Sequence, residues 1–447
     1  MGSERRPSRT AVTILLVSQF CSAAAELAQV TVLGKIVYDM TASKLDLGLL
    51  GLAEFAPAAL LVLVTGTVAD RFDRRRVVAT GLVAQAVATG SLGWYLGTRP
   101  TSVVPVFLGV LAFGTGRAFS APAGRSLPAD MASHEHLPGL VARNAAAFQA
   151  ALIAGPVLGG FLFTVDVRVP FAVLGVLLIL AAGAVTMIPI EPVQEIRGKG
   201  AADVAEVRAE ALEEIADEAG QDPAPGHGPS LRPESGGLRE AMEGLRFVRG
   251  QPVLLAAISL DLFAVLFGGA VALLPAIAKD RLGVGAVGLG WLRAAGGIGA
   301  GMMTLTLAAR PITRHVGRTL LLVVTLFGAW TIVLGLTRTY AVAFVAMIAL
   351  SGADAVSVYI RATLVPLLTP SDRRGRVLAV ESVFIGASNE LGAFESGVTG
   401  QLIGTVGSVV FGGAATLAVA AGWWAFFPSL RGVDRFPNPD SREAAKE

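Results

Sequence analysis

Gly66-Thr67-Val68-Ala69-Asp70-Arg71-Phe72-Asp73-Arg74-Arg75-Arg76 stands between two apolar runs, 47–68 and 77–97. Each run is long enough to cross a bilayer as a helix, since ~20 residues at ~1.5 Å rise cover a hydrocarbon core ~30 Å thick. Two acids and four arginines do not enter lipid, so the link is a tight hairpin at a membrane face. Arg71, Arg74, Arg75 and Arg76 put that face in the cytoplasm, because short loops rich in Lys and Arg stay inside.

The same texture runs through the whole chain of 447 residues, which is 53% hydrophobic and 16% charged. A soluble protein carries about 25% charged residues. The apolar excess falls in blocks, which predicts an all-α membrane protein with twelve spans. They are expected at about 11–37, 47–68, 77–97, 102–123, 144–164, 169–189, 252–278, 284–308, 319–337, 340–361, 377–404 and 407–428. On this layout the outer edges hold only Lys35, Lys44, Arg99, Arg168, Lys279, Arg281 and Arg338 of the 36 basic residues. Both termini are therefore expected in the cytoplasm. Arg5, Arg6 and Arg9 ahead of the apolar stretch 11–20 mimic a secretory signal, but the run continues through 27–37, so the first span is expected to stay uncleaved.

Residues 190–251 form the one long polar insertion. Within it 201–220 reads as an acidic helix, 221–237 as a Pro- and Gly-rich linker, and 238–249 as an amphipathic helix on the inner membrane surface. The chain thus divides into an N-terminal six-helix bundle (1–189), a cytoplasmic linker (190–251), a C-terminal six-helix bundle (252–430) and a cytoplasmic tail (431–447). The halves echo each other: Gly116–Arg125 is followed by Pro128, and Gly352–Arg361 by Pro366.

Other classes find no support. The net charge of +2 is too small to argue for nucleic acid, and the lone Cys21 rules out a disulfide framework or cysteine metal site. His134 and His136 flank Glu135 too closely for a helical zinc pair, and no Gly-Lys-Ser/Thr phosphate loop occurs. Neither an enzyme nor a cofactor is expected, and ATP is not the energy source.

Glu26, Glu54, Arg117, Asp261, Arg293, Asp354, Glu390 and Glu395 fall inside spans one, two, four, seven, eight, ten and eleven, with Asn389 beside Glu390. Spans three, six, nine and twelve carry no charge between their ends. A charge facing lipid at mid-depth costs several kcal/mol, so the charged spans face the interior.

The hairpin resembles the signature of the major facilitator superfamily of secondary transporters, with Gly66, Asp70, Arg71, Arg74 and Arg75 on its pattern and Asp73 where the family has Gly. The resemblance implies two six-helix bundles rocking about a midplane site, with every third span peripheral, as the charge-free spans suggest. It also implies that the hairpin is a conformational latch for the outward-open state, with Gly66 letting two helices approach. Gly155-Pro156-Val157-Leu158-Gly159-Gly160 resembles the G-P-x-x-G-G motif of drug:proton antiporters, a bend and seal that favours export. Glu243–Val248 before Pro252, Pro370–Val377 and Ala387–Gly397 resemble the enterobactin-exporter-like branch, which includes macrolide efflux proteins.

These resemblances imply a proton-coupled antiporter that exports amphiphilic small molecules such as drugs, macrolides or siderophores. It would act as a monomer in the bacterial inner membrane, with the bilayer, substrate and protons as its partners. Desolvated carboxylates suit such coupling, in the order Glu26, Glu390, Glu395, Asp261 and Glu54, with Arg117 and Arg293 as counter-ions. The same acids have a plainer reading as ion pairs that hold the bundle together. A lipid or lysolipid flippase of the same fold, and a non-transporting receptor or scaffold, are the alternatives.

Overall fold

The computed structural model describes residues 8–133, 135–188, 238–370 and 373–437, without the side chains of Leu63, Ala69, Asp70 and residues 238–241. His134, the expected acidic helix at 201–220, the linker 221–237 and Ser371-Asp372 lie outside the described residues. Among the described residues the secondary structure is helical, with no strand.

Among the described residues ten helices are long and apolar enough to cross a membrane. The one running Arg374–Phe426 breaks at Gly404, whose φ of 78° lies in the left-handed region, and so makes spans eleven and twelve. The Gly-rich helix Ala286–Ala309 has 24 residues and is the eighth span. The fold is thus an all-α membrane architecture of twelve spans. The first six are Arg9–Thr41, Lys44–Arg71, Arg74–Leu96, Val104–Met131, Leu137–Leu162 and Arg168–Thr186. Pro252–Arg281 is the seventh, Val316–Leu336 the ninth and Tyr340–Leu368 the tenth. Helices four, five and ten run past the apolar stretches that announce them.

Local chemistry starts these helices. Ser8 and Ser43 cap the first two spans through hydroxyls that accept from the Ala11 and Asp46 amides. Asp73, the departure from the family pattern, caps the third: its carboxylate accepts from the Arg75 amide at 2.9 Å and from the Arg75 guanidinium at 2.8 and 3.1 Å. The hairpin therefore turns on a cap instead of a glycine.

Within the first half, Gly81 and Gly116 bring spans three and four so close that a Cβ on either would sit 2.7 Å from the other's carbonyl oxygen. Small residues at helix contacts are how helices pack in lipid, where hydrophobic burial gives little drive. Buried polar groups are matched across the same bundle, as Thr89 donates to Gln29 at 2.6 Å and Gln85 to Ser120 at 2.9 Å.

The structure adds detail at three points. The seventh span is not a continuous helix. It is α-helical over Pro252–Phe267, then passes through a 3₁₀ stretch, Gly269–Leu273, and a π turn, Ile277–Arg281. Gly268 and Gly269 press against the Phe327 ring and the Gly392 carbonyl, contacts that leave no room for a side chain. Irregular backbone at this depth is tolerated because it lines a cavity. The helix Leu238–Arg249 docks on protein: Val248 is buried with Leu254, Ile258, Val365 and Val377, and Glu243 pairs with Arg376 at 3.0 Å. Val248 is thus covered by the second half, while Met242 is exposed. Among the described residues nothing lies within 4 Å of a Cβ built on Gly66, so no helix contact is made there in this conformation.

Candidate functional site

Two seams join the halves. In one, span two meets span eleven through Gly48 and Gly397, where a Cβ on either would lie 2.9 Å from backbone of the other helix. In the other, span five meets span eight. A Cβ on Gly160 would lie 2.6 Å from the Ala286 carbonyl, one on Gly290 would strike the Pro156 carbonyl, and Gln149 donates to the Gly297 carbonyl at 2.5 Å. The Gly155–Gly160 motif is divided between two tasks. Gly155 and Gly159 pack on Ala24 and Ala28 of span one, while Pro156 and Gly160 touch the opposite half.

Away from the arginine hairpin the junction is locked by charge. Asp39 of span one pairs with Lys279 of span seven and with Lys35, both at 2.7 Å, and the Tyr38 hydroxyl donates to the Asp280 carboxylate. The Lys44 amide donates to Gln401 at 3.2 Å on the same face. At the hairpin face the arginines stay within their own half. Arg74 pairs with Asp130 at 2.6 Å, Arg75 donates to the Ile188 carbonyl at 2.8 Å, and Arg71 is exposed. The side chain of Asp70 lies outside those described. The halves are thus held together at the face opposite the hairpin.

Beneath that lock lies a cavity of about 370 Å³ between the halves. Glu54 and Arg117 line it from the first half, and Arg293, Asp354, Asn389 and Glu390 from the second. A second cavity of about 440 Å³, nearer the hairpin, is lined by Glu26, Gln19, Arg125 and Asn144, and Arg117 borders both. Spans three, six and twelve contribute nothing to the central lining, and span nine contributes Phe327 alone.

Arg117 is the hub of this site. Its guanidinium meets Glu54 at 2.6 Å and Glu26 at 3.4 Å, which links carboxylates of spans one and two across the two cavities. An intramembrane guanidinium is stable only with such partners. Arg293 has none: it makes no ion pair among the described residues, and its Nε is shut from solvent without a hydrogen-bond partner. Glu390 lies open to the cavity beside span two, its Oε2 2.9 Å from where a Gly51 Cβ would sit.

Asp261 and Glu395 lie elsewhere. Asp261 pairs with Arg361 at 2.7 Å inside the second half, and Glu381 approaches the same guanidinium at 3.7 Å. Glu395 does not line either large cavity, and its carboxylate accepts from the neighbouring Ser396 hydroxyl at 3.5 Å. Glu381 and the cross-half lock Tyr38–Asp280 and Asp39–Lys279 were not singled out from sequence. These residues sit near span ends, where charges ordinarily reach water, so nothing in the sequence distinguishes them from loop charges.

A family model described as Major Facilitator Superfamily matches residues 15–393. No curated protein matches the sequence. Among solved structures, the peptide transporter POT in complex with sulfate superposes with a TM-score of 0.66 at 15% identity, over 97% of this chain and 98% of its own. A bacterial homolog of the human lysosomal transporter Spinster, in an inward-facing and unoccupied conformation, gives a TM-score of 0.62 at 14% identity, over 94% and 95%. A variant of the nucleoside transporter NupG gives 0.65 at 11% identity, over 93% of this chain and 100% of that one. At these identities the likeness is one of fold.

Proposed function

The chain belongs to the Major Facilitator Superfamily, and on that premise we propose that it is a proton-coupled antiporter exporting amphiphilic small molecules by alternating access. The hairpin face is cytoplasmic in this reading, because it gathers the arginines of 71–76, and the membrane is the bacterial inner membrane. The conformation described is then inward-facing. The arginines of the hairpin bond within their own half here, as expected of a latch that engages in the opposite state.

The observation that carries the reading is the set of ionisable groups from both halves around one cavity at mid-depth: Glu54, Arg117, Arg293, Asp354 and Glu390. Charge there is costly, and a carboxylate that exchanges its proton as the halves rock converts a pH gradient into directed movement. Glu390 and Asp354, which have no ion-pair partner among the described residues, are the first candidates for that proton. Glu26 and Glu54 report the proton's state to Arg117, which both carboxylates share. Much of the remaining central lining is apolar (Leu33, Leu47, Leu50, Phe327, Leu350), which suits an amphiphile better than a sugar.

The test is reconstitution into proteoliposomes with an imposed pH gradient, screening dyes, macrolides and siderophores. Gradient-driven flux by the wild type and its loss in Glu390→Gln, with exchange down a substrate gradient retained, supports coupled export. Flux indifferent to the gradient in folded protein overturns it.

A further inference from the structure

Arg293 is a cation without an ion-pair partner among the described residues. Arg117 is shared by Glu26 and Glu54, and Arg361 closes on Asp261. Arg293 lines the central cavity with no carboxylate in ion-pair range among the described residues, and its Nε is buried without a partner. A guanidinium nitrogen shut from water without a hydrogen-bond partner is costly.

Its surroundings are built to keep it there. Arg293 is carried by span eight of the second half, yet its guanidinium reaches span one of the first, where a Cβ on Gly34 would lie 3.6 Å from Nη2 and 3.1 Å from Pro275. The missing side chain at Gly34 gives the guanidinium room against span one at the end of the cavity nearest the Asp39–Lys279 lock. Glu54, the nearest formal counter-charge from the first half, is already engaged by Arg117 at 2.6 Å. Arg293 thus has no ion-pair partner among the described residues, and the cavity beside it is open to an anion from outside the protein.

We propose that Arg293 is the receptor for an oxyanion, a carboxylate or phosphate, carried by the transported molecule. The planar fork of a guanidinium matches both groups in bidentate fashion. An anion seated there touches span eight and span one together, so it bridges the two halves at the sealed end of the cavity. The substrate is then an anionic amphiphile, its charged group at Arg293 and its apolar part along Leu33, Leu50 and Phe327. The inference rests on the transporter reading above and specifies the substrate for the same cavity.

Binding without any pH gradient tests it. Full-length protein is placed in phosphatidylcholine nanodiscs and titrated by calorimetry with 2-naphthoate, 2-naphthyl phosphate, 2-naphthylmethanol and 2-naphthylmethylamine, with empty nanodiscs as blank. The wild type is expected to bind at least one anionic probe about 10–100-fold more tightly than the alcohol or the amine, the range that a charged hydrogen bond supplies. Which of the two anions binds more tightly separates carboxylate from phosphate as the source. Arg293→Gln should abolish that preference while leaving the alcohol unchanged, and Arg293→Lys should restore part of it. A purely structural role would weaken all four probes alike. Equal binding of an anionic probe by Arg293→Gln, a preference for the amine, or no binding of either anion by the wild type overturns the proposal. Failure of gradient-driven flux would instead overturn coupled export and leave this result standing.

Discussion

Arg361 and Asp261 form an ion pair 2.7 Å long in the interior of the second half, and the two residues keep only 3% and 6% of their surfaces exposed. Its counterpart in the first half is arranged differently. Arg125, which matches Arg361 in the internal repeat, lines the second cavity with Glu26, while Glu26 itself meets Arg117 at 3.4 Å. One half has closed this polar site into a strut, and the other has left it open to a cavity.

The strut should behave as a buried pair does. Arg361→Met leaves Asp261 and Glu381 without their cation, and we expect it to destabilise the protein by about 3–5 kcal/mol. Arg361→Met combined with Asp261→Asn should recover part of that loss. Unfolding in mixed micelles measures both. A single variant as stable as the wild type would sink the idea that this pair holds the bundle.

The lock above the cavity can be made covalent. Asp39→Cys with Lys279→Cys, in a Cys21→Ser background, should be bridged by a short bis-methanethiosulfonate linker, because the native side chains meet at 2.7 Å and cysteines in their place leave a gap too wide for a direct disulfide. Transport should stop on crosslinking and return with reductant, since alternating access requires this face to open. Unimpeded flux in fully crosslinked protein contradicts that requirement.

The seam between spans five and eight tolerates no side chain at Gly290, where a Cβ would strike the Pro156 carbonyl. Gly290→Val should therefore disfavour the conformation sealed opposite the hairpin. In the cysteine pair just described it should lower the crosslink yield at short reaction times, the equilibrium constant for the sealed conformation falling about tenfold for each ~1.4 kcal/mol of strain. An unchanged yield would mean that the seam repacks at little cost.

Asp73 gives a pH-dependent prediction outside the bilayer. Hydrogen bonds from the Arg75 guanidinium, then from its backbone amide, hold this carboxyl below its ordinary range. A lowered folded value means stabilisation that is present at neutral pH and lost as pH falls below about 4 toward the folded value. Asp73→Ala should cost about 0.5–2 kcal/mol at pH 7, the usual loss of a helix cap. The gap to wild type should narrow in acid, as thermal melting across pH would record. A gap constant down to pH 3 would deny the cap its charge.

The sequence by itself determined the class of molecule. Blocks of ~20 apolar residues have one use, and an arginine hairpin between two of them fixes where the chain turns, so the spans could be set out in order, although helices four, five and ten run seven or eight residues past them at one end. The charge-free spans three, six and twelve were likewise legible as outside the central cavity, because lipid forbids charge at mid-depth. What the sequence left open was which charge meets which. Glu26, Glu54, Asp261, Glu390 and Glu395 look alike in a string, yet two share Arg117, one is locked to Arg361, one faces the cavity and one lies apart from it. The break in span seven and the freedom of Arg293 were equally hidden. Such partnerships join residues dozens to hundreds of positions apart, and only the packing of two bundles against each other brings their side chains within a few ångströms.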